Sequence, residues 1–530
     1  MDQTNQTLKG WSRLTTAKHA ARIGALMVLA AGLLGWLASR TEVMYADGLR
    51  YVHSAQSGWK TSVVRAVDHP AYPMAIAGVH RALGAGDAPQ DWQTAAQVAS
   101  VVAGVLLIIP LYLVALELCG PTAAWLACVL TLLVPNTGRV LADVLSEGLF
   151  LLFWTWGCWF ALRFLKRGGT LWLAPTVLAA GLAFLTRPEG LLLPAALAAT
   201  LGLMIVRPSI RLSWPAWTRA TALIVVGPLL VMGPYIALRG GIGAKPAVAR
   251  LLGTAPKSTT MAIERERPLD PDQTAVKSLA VACRAVFRAL QGAVTTPLLV
   301  LAVAGLFFRP SEPDPSRSRG KLFIGIVCAA WILALVRLYE TGGYCTPRHA
   351  LIAALPLIAA AASGLVGLAE RLARRFADAA EPRRRFVQAA AYGACLLTIV
   401  GLYGKQTLAP INAGYNGYRL AGEWLAEHAS AEATVFDLKG WALYYGGLPG
   451  YSFADYGQAP HDPKLGWLVA HDAFLVGEWS YCQTVRDLVA GRDPVISFPE
   501  TRRKGASRVH VFLLSPEMAR SEPSSDAIRK

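Results

Sequence analysis

Residues 95–116 read AAQVASVVAGVLLIIPLYLVAL, a stretch without any charged side chain. A helix of about 20 apolar residues is long enough to cross the roughly 30 Å hydrocarbon core of a bilayer. This stretch therefore predicts a transmembrane helix. Further apolar segments of similar character predict more of them, at 22–38, 121–135, 148–165, 171–186, 189–206, 221–238, 291–308, 322–338, 349–368 and 387–404. The sequence thus predicts about 11 transmembrane helices.

The composition supports the same fold class. Hydrophobic residues make up 54% of the 530 positions and charged residues only 16%. This is more apolar sequence than one soluble core can bury, and too little charge to cover several soluble cores. We therefore expect an α-helical polytopic membrane protein. The first segment is not expected to be a cleaved signal peptide, because no small-residue cleavage site follows it.

The net charge of +17 is spread over short connections rather than gathered in one patch. Clusters of Lys and Arg occupy alternate connections, near residues 9–22, 163–167, 207–219, 309–321 and 371–385. Such clusters mark cytoplasmic loops, so the charge predicts membrane orientation and no nucleic acid partner. We expect a cytoplasmic (inner) membrane protein with its N-terminus in the cytoplasm. The connection 39–94 and everything after 404 should then be extracytoplasmic.

The first extracytoplasmic loop contains the stretch MYADGLRYVHSAQ, residues 44–56. Asp47 and Tyr51 are spaced i, i+4, which puts a carboxylate and a phenol on one helical face, with Arg50 at its flank. We place a candidate active site here, extended by His69 and Tyr72 in the element DHPAYP. An alternative stays open, in which Asp47 is only the N-cap of a short helix.

Two acidic residues, Asp143 and Glu147, follow the next extracytoplasmic turn at i, i+4 spacing. Carboxylates on one helical face repel each other unless a helix N-terminus, a bound cation or a substrate offsets them. Asp143 and Glu147 are therefore candidates for binding a divalent cation or the hydroxyls of a sugar. The alternative is that they only complement the helix dipole.

Two further extracytoplasmic turns carry arginine. Arg187 and Glu189 lie in the hairpin TRPEG, where charge at membrane depth indicates a functional site, although an arginine that only snorkels to the interface fits as well. Arg348 lies at the start of the helix predicted from residue 349. A cation there opposes the helix dipole, which favours an anion-binding role.

Beyond residue 405 the composition becomes that of a soluble domain. Helices predicted at 418–428 and 483–489 alternate with strands predicted at 433–437, 473–478 and 509–514, which indicates a small extracytoplasmic α/β domain over 406–530 with a disordered tail from 517. An amphipathic interfacial helix is predicted at 276–290, with Leu279, Cys283 and Phe287 on its apolar face. A disulfide between Cys345 and Cys482 is permitted in this compartment.

Five motifs occur in a fixed order on the predicted outer side. They are Asp47 with Arg50-Tyr51, HPAYP, LSEGLF, TRPEG and PRHAL. Over residues 20–405 this order resembles the GT-C glycosyltransferases, in particular the bacterial branch related to protein O-mannosyltransferases and lipid A aminoarabinose transferases. The resemblance implies inverting transfer of a sugar from a polyprenyl-phosphate donor to a lipid, glycan or protein acceptor, with Asp47 as general base. The sequence departs from the pattern at Gly48, where many members have a second acid.

The same chemistry fits the residues themselves. A hydroxyl nucleophile needs a carboxylate base, which Asp47 can supply, and a phosphate leaving group needs cations, which Arg187 and Arg348 can supply. The membrane domain 1–405 should then hold the site, and the substrate-binding candidates are Arg50, Tyr51, His69, Tyr72, Asp143, Glu147, Arg187, Glu189 and Arg348. A polytopic transporter or flippase without transferase activity is the alternative. Transporters usually have repeats and charges near the midplane.

Overall fold

The structure is a computed structural model that describes residues 17–64, 66–206, 213–241, 278–307, 315–375, 381–477, 480–499 and 507–518. Several predictions lie outside these ranges. They concern the first two residues of the helix predicted at 276–290, the basic residues within 9–16, 207–212 and 309–314, and the tail beyond residue 518.

Long helices dominate the first four-fifths of the chain. Their bounds are α1 Ala17–Ser39, α2 Ala46–Gln56, α3 Trp59–Val64, α4 Ala71–Leu83, α5 Pro89–Cys119, α6 Pro121–Leu133, α7 Pro135–Ala142, α8 Glu147–Arg167, α9 Leu173–Thr186, α10 Leu192–Ile205, α11 Trp214–Leu238, α12 Leu279–Val294, α13 Thr296–Phe307, α14 Pro315–Gly342, α15 Leu351–Arg374 and α16 Glu381–Thr407. Short 3-10 turns at Pro188–Leu191 and Pro347–Ala350 lead into α10 and α15.

The predicted transmembrane segments correspond to these helices. Among the described residues, eight helices are long and apolar enough to cross a membrane, and up to ten are if each sharply bent pair counts as one span. The bent pairs are α6 with α7, at 73°, and α12 with α13, at 97°. The predicted segment 171–186 is a shorter apolar helix, Thr170–Thr186. The predicted class of α-helical polytopic membrane protein is confirmed.

A mixed α/β domain follows α16; we refer to residues 412–518 as the C-terminal domain. It contains α17 Asn416–His428, β1 Thr434–Asp437, α18 Trp441–Gly446, β2 Gly450–Tyr451, β3 Leu465–His471, α19 Asp472–Val476, α20 Ser480–Val489, β4 Ile496–Phe498 and β5 Val509–Leu513. The strand order is β2-β1-β3-β5-β4. β1 pairs in parallel with β2 and β3, whereas β5 pairs antiparallel with β3 and β4.

The first long loop, residues 39–94, packs into the core of the C-terminal domain. Its apolar residues Met44, Val52 and Ile76 are completely buried in the same cluster as Tyr418 and Phe436. A second, larger cluster holds the long helices together. The loop and the C-terminal domain therefore form one apolar core, although they are far apart in the sequence.

Hydrogen bonds fix the same junction. The phenol of Tyr445 donates to Gln93 Oε1 and accepts from the backbone N–H of Met44, and the phenol of Tyr444 donates to the carbonyl of Pro89. Buried polar groups of this kind need partners, and here each partner lies across the junction. These bonds place the start of α5 and the C-terminal domain in one fixed relation.

Two local predictions are corrected by the structure. The predicted strand 473–478 is helix α19 where it is described, and the strand of this region is β3, Leu465–His471.

The helix predicted at 276–290 is present as α12 from Leu279 onward. Its residues Ala282, Val286 and Ala289 pack on the protein, whereas Leu279, Cys283 and Phe287 are exposed and free to contact lipid. Its position in the membrane interface stays a prediction.

The predicted disulfide is the second correction. Cys345 and Cys482 are free thiols, as are the other six cysteines.

Candidate active site

A cavity of about 670 Å³ lies between the ends of the long helices and the C-terminal domain. On the helix side it is lined by α2, by the hairpin at residues 187–189 and by the turn that contains Arg348. On the opposite side it is lined by residues from four segments of the C-terminal domain between Tyr415 and Tyr481. Residues of three predicted motifs, Asp47 with Arg50-Tyr51, TRPEG and PRHAL, therefore line one pocket together with residues of the C-terminal domain.

Asp47 reaches this pocket from the first turn of α2. The helix begins at Ala46, and its N-cap is Tyr45, which makes no side-chain capping bond. Asp47 is therefore inside the helix, and the alternative that made it an N-cap is wrong. As predicted, Asp47 and Tyr51 belong to one helix, with Tyr51 buried and Asp47 22% exposed at the pocket.

The glycine after Asp47 is required by close packing. A Cβ on Gly48 would lie 2.9 Å from Met44 Sδ and 3.0 Å from Val144 Cβ, which is shorter than an ordinary van der Waals contact. A second acidic side chain at this position would have to displace buried neighbours. The departure from the GT-C pattern at Gly48 thus has a physical cause, which is the tight contact of α2 with the segment before α8.

The carboxylate of Asp47 contacts two arginines. Its Oδ2 lies 2.6 Å from Arg348 Nη2, and its Oδ1 lies 3.4 Å from Arg50 Nη2. Arg50 is held in turn by Asp68, with Nε to Oδ2 at 3.1 Å. The Arg348 guanidinium also lies over the ring of Tyr45, 4.7 Å from its centroid. The predicted base and the predicted phosphate ligand are therefore direct neighbours.

Arg187, which lines the pocket, connects two carboxylates, those of Glu147 and Glu189. Its Nη1 lies 2.7 Å from Glu147 Oε1 and its Nη2 lies 2.8 Å from Glu189 Oε1. Glu147, only 5% exposed, is also 3.9 Å from Arg348 Nε, so it links the two arginines. The hairpin that places Arg187 is tight, since a Cβ on Gly190 would collide with the backbone of Phe184.

Tyr72 and His69 lie behind the pocket rather than on its surface. The Tyr72 ring packs edge-on against Tyr51, and its phenol is 2.6 Å from Ser100 Oγ. Tyr51 is bonded to Ser146 Oγ at 3.0 Å, and burial raises its pKa above the ordinary value. The His69 ring packs against Phe184 and Tyr235. These rings support α2 and the hairpin, and neither is among the residues that line the pocket. Their predicted role as ligands for the substrate stays a prediction.

Asp143 is also absent from the pocket lining. It follows α7 in extended backbone, so it shares no helical face with Glu147, which begins α8. Its buried carboxylate accepts hydrogen bonds from Tyr45 N at 3.1 Å, Val144 N at 2.7 Å and Asn412 Nδ2 at 3.0 Å. Asp143 therefore joins the first loop to the start of the C-terminal domain.

The predicted divalent cation site does not fit these residues. All three hydrogen bonds of Asp143 are to protein nitrogen atoms, and Glu147 faces Arg187, whose charge disfavours a second cation. Within the described ranges, no group of three or more His, Cys, Asp and Glu side chains could hold a metal ion. Asp143 and Glu147 are therefore given no role in binding a catalytic cation.

The C-terminal wall of the pocket was not predicted. It carries Tyr415, Phe453, Phe474 and Tyr481, together with Lys439, whose Nζ lies 5.7 Å from the Phe474 ring centroid. These residues come from separate segments of the chain, and no spacing pattern in the sequence indicates that they lie close together. Ser146 was also missed, although it stands in the quoted motif LSEGLF.

Comparisons with known proteins agree with this architecture. A family model described as dolichyl-phosphate-mannose-protein mannosyltransferase matches residues 82–232. The crystal structure of ArnT from Cupriavidus metallidurans bound to undecaprenyl phosphate superimposes with a TM-score of 0.55 at 14% identity, covering 96% of this chain and 100% of that chain. The oligosaccharyltransferase AglB from Archaeoglobus fulgidus, in complex with an inhibitory peptide and a dolichol-phosphate, gives 0.55 at 12% identity, covering 88% and 72%. No curated protein matches the sequence.

The chain therefore has the fold of the GT-C membrane proteins, and the resemblance read from its motifs is confirmed for the fold. The likeness to ArnT extends over nearly the whole of both chains, so it includes the C-terminal domain as well as the long helices.

Proposed function

We propose that this protein is an integral membrane glycosyltransferase that moves a sugar from a polyprenyl-phosphate donor to an acceptor hydroxyl. The observation that carries the proposal is the pocket in which Asp47 lies beside Arg348, at 2.6 Å. A carboxylate that can accept a proton and guanidinium groups that can bind a phosphate are the two requirements of this reaction. The fold shared with ArnT and AglB supports the same reaction class.

In the proposed reaction, the acceptor oxygen forms a bond to the anomeric carbon while the bond from that carbon to the phosphate oxygen breaks. The acceptor proton passes to Asp47, and polyprenyl phosphate leaves with the electron pair. A single displacement of this kind inverts the anomeric centre. We assign the base to Asp47 because it is the most exposed of the three acids around Arg187 and Arg348, at 22% against 16% for Glu189 and 5% for Glu147.

Arg348 and Arg187 are the groups that would stabilise the charge on the leaving phosphate. Both line the pocket and both are largely buried, at 14% and 13% exposure, so water screens their charges little. Planar guanidinium groups bind phosphate through two hydrogen bonds, which fixes its orientation. Glu189, beside Arg187 at the pocket surface, is then placed to bind sugar hydroxyls.

We also propose that the protein lies in the cytoplasmic membrane with this site on the outer side. This placement depends on the basic loops, because the helices alone do not determine orientation. The donor and acceptor classes remain those implied by the resemblance, a polyprenyl-phosphate sugar and a lipid, glycan or protein hydroxyl. Membrane lipids surround the apolar helices in either orientation.

The test is a transfer assay with purified protein. Wild type and Asp47→Asn would be incubated with polyprenyl-phosphate sugars and membrane extracts, and the release of polyprenyl phosphate would be followed. Loss of a general base reduces the rate about 10²- to 10⁴-fold, so the variant should be nearly inactive while it still folds. A variant that transfers at the wild-type rate would remove Asp47 from the mechanism. Transport activity without release of polyprenyl phosphate would instead support the flippase alternative.

A further inference from the structure

Every arginine that lines the pocket is already paired with carboxylates. Arg187 contacts Glu147 and Glu189, Arg50 contacts Asp68 and Asp47, and Arg348 contacts Asp47. A phosphate that binds one of these guanidinium groups through two of its N–H donors therefore competes with a carboxylate for them.

The pair of Arg348 with Asp47 is the contact that is easiest to exchange. Asp47 is 22% exposed, so water can replace part of the interaction that it loses, whereas Glu147 and Asp68 are 5% and 2% exposed. Moving a deeply buried carboxylate away from its cation would cost much more. Asp47 also keeps a second cation, Arg50, at 3.4 Å.

Arg348 is held in place by contacts other than Asp47. Its guanidinium lies over Tyr45 at 4.7 Å, and its Nε is 3.9 Å from Glu147 Oε1. That Nε is buried and makes no hydrogen bond within the described part of the chain. Because that Nε is buried, a phosphate in the pocket would reach Arg348 through its terminal nitrogen atoms, and Nη2 is the one that Asp47 contacts.

The same contact conflicts with catalysis as long as it persists. In an inverting displacement the base and the leaving group lie on opposite faces of the anomeric carbon, so the sugar must fit between them. At 2.6 Å, Asp47 and the phosphate ligand Arg348 leave no room for a sugar ring. The contact must open before transfer can occur.

We propose, on the basis of the function proposed above, that Asp47 and the donor phosphate compete for Arg348. As long as Asp47 contacts Arg348, it occupies the position of the phosphate and is not available as a base. Donor binding transfers Arg348 to the phosphate and leaves Asp47 with Arg50, which acts as a positioning residue held by Asp68. Binding is therefore ordered, with the donor first, because an acceptor hydroxyl meets a free carboxylate only after the donor has bound.

The competition predicts that loss of the Asp47 charge tightens phosphate binding. We would measure the affinity of purified full-length protein for undecaprenyl phosphate, without any sugar or acceptor, for wild type, Asp47→Asn and Asp47→Ala. A charged hydrogen bond that no longer has to be broken corresponds to about tenfold in affinity. Both variants should therefore bind about tenfold more tightly than wild type.

Glu340→Gln is the matched control. It removes one negative charge from α14 close to the pocket, between the lining residues Leu338 and Gly342, but Glu340 pairs with Arg337 and is not among the described residues that line the pocket. A change of less than about threefold is expected there, since only the general electrostatic field changes. Equal tightening in Glu340→Gln and Asp47→Asn would overturn the competition, and so would unchanged or weaker binding in both Asp47 variants. If neither wild type nor variants bind undecaprenyl phosphate, the proposed function fails together with the inference.

Discussion

The charge bridge of Glu147, Arg187 and Glu189 allows a prediction about stability that is independent of the reaction. Replacing Arg187 with Met removes the cation at 2.7 Å from Glu147 Oε1 and leaves a carboxylate that is only 5% exposed. Arg348 Nε, at 3.9 Å, compensates only part of the loss. Breaking a buried pair by removal of one partner typically costs about 3–5 kcal/mol, because the remaining charge is buried without compensation.

The size of the penalty can be separated from simple loss of packing by a double-mutant cycle. Glu147→Gln alone should cost less than Arg187→Met, because Arg187 keeps Glu189 at 2.8 Å. The double variant should be no less stable than Arg187→Met alone, since it no longer contains the unpaired carboxylate. We therefore expect the two penalties to fall short of additivity by about 2 kcal/mol or more.

The assay is chemical or thermal unfolding of the purified protein in detergent, with Arg337→Met as a control at an exposed ion pair that should change stability little. Penalties for Arg187→Met and Glu147→Gln that add within about 0.5 kcal/mol would refute the reasoning, because independent sites behave in that way. Such a result would mean that Arg187 does not stabilise the buried carboxylate of Glu147.

Three further predictions follow from other parts of the molecule. Arg348→Lys keeps the charge but loses the planar guanidinium and weakens the stacking on Tyr45, so the affinity for polyprenyl phosphate should fall several-fold while the melting temperature changes little. An unchanged affinity would remove Arg348 from the phosphate site. Topology can be tested in a Cys283→Ser background, which removes the exposed native thiol. Cysteines introduced at Ser54 and Ser452 should react with a membrane-impermeant reagent added from outside, and a cysteine at Arg375 should react only after permeabilisation. The reverse pattern of labelling would invert the topology. Burial raises the pKa of Asp437 from 3.8 to about 6, so the folded state binds this proton more tightly than the unfolded state does, and stability should fall by about 2 kcal/mol as pH rises from 4 to 7. Asp437→Asn should lack that part of the slope, whereas identical pH profiles of unfolding would show that Asp437 is not buried as a carboxylate.

The sequence predicts best where one physical rule acts within a short stretch. Residues 95–116 are part of α5, Pro89–Cys119, because no water is present in the bilayer to satisfy an open backbone, so an apolar run of that length must be helical. The i, i+4 spacing of Asp47 and Tyr51 indicates one helical face because α2 continues through both residues. The same spacing fails for Asp143 and Glu147, because the chain leaves the helix at Asp143 and starts a new one at Glu147.

The site itself depends on contacts between segments that no local pattern encodes. Arg348 meets Asp47 across some three hundred residues, and only their common side of the membrane suggested that they could meet. Asp143 illustrates the limit most clearly. A carboxylate that looked like a ligand for a cation or a sugar instead accepts hydrogen bonds from Tyr45 and Asn412, which joins the first loop to the C-terminal domain. Because those donors belong to segments remote from residue 143, its role could be identified only when the packing of the loop on the domain was known, and the same packing makes one wall of the pocket.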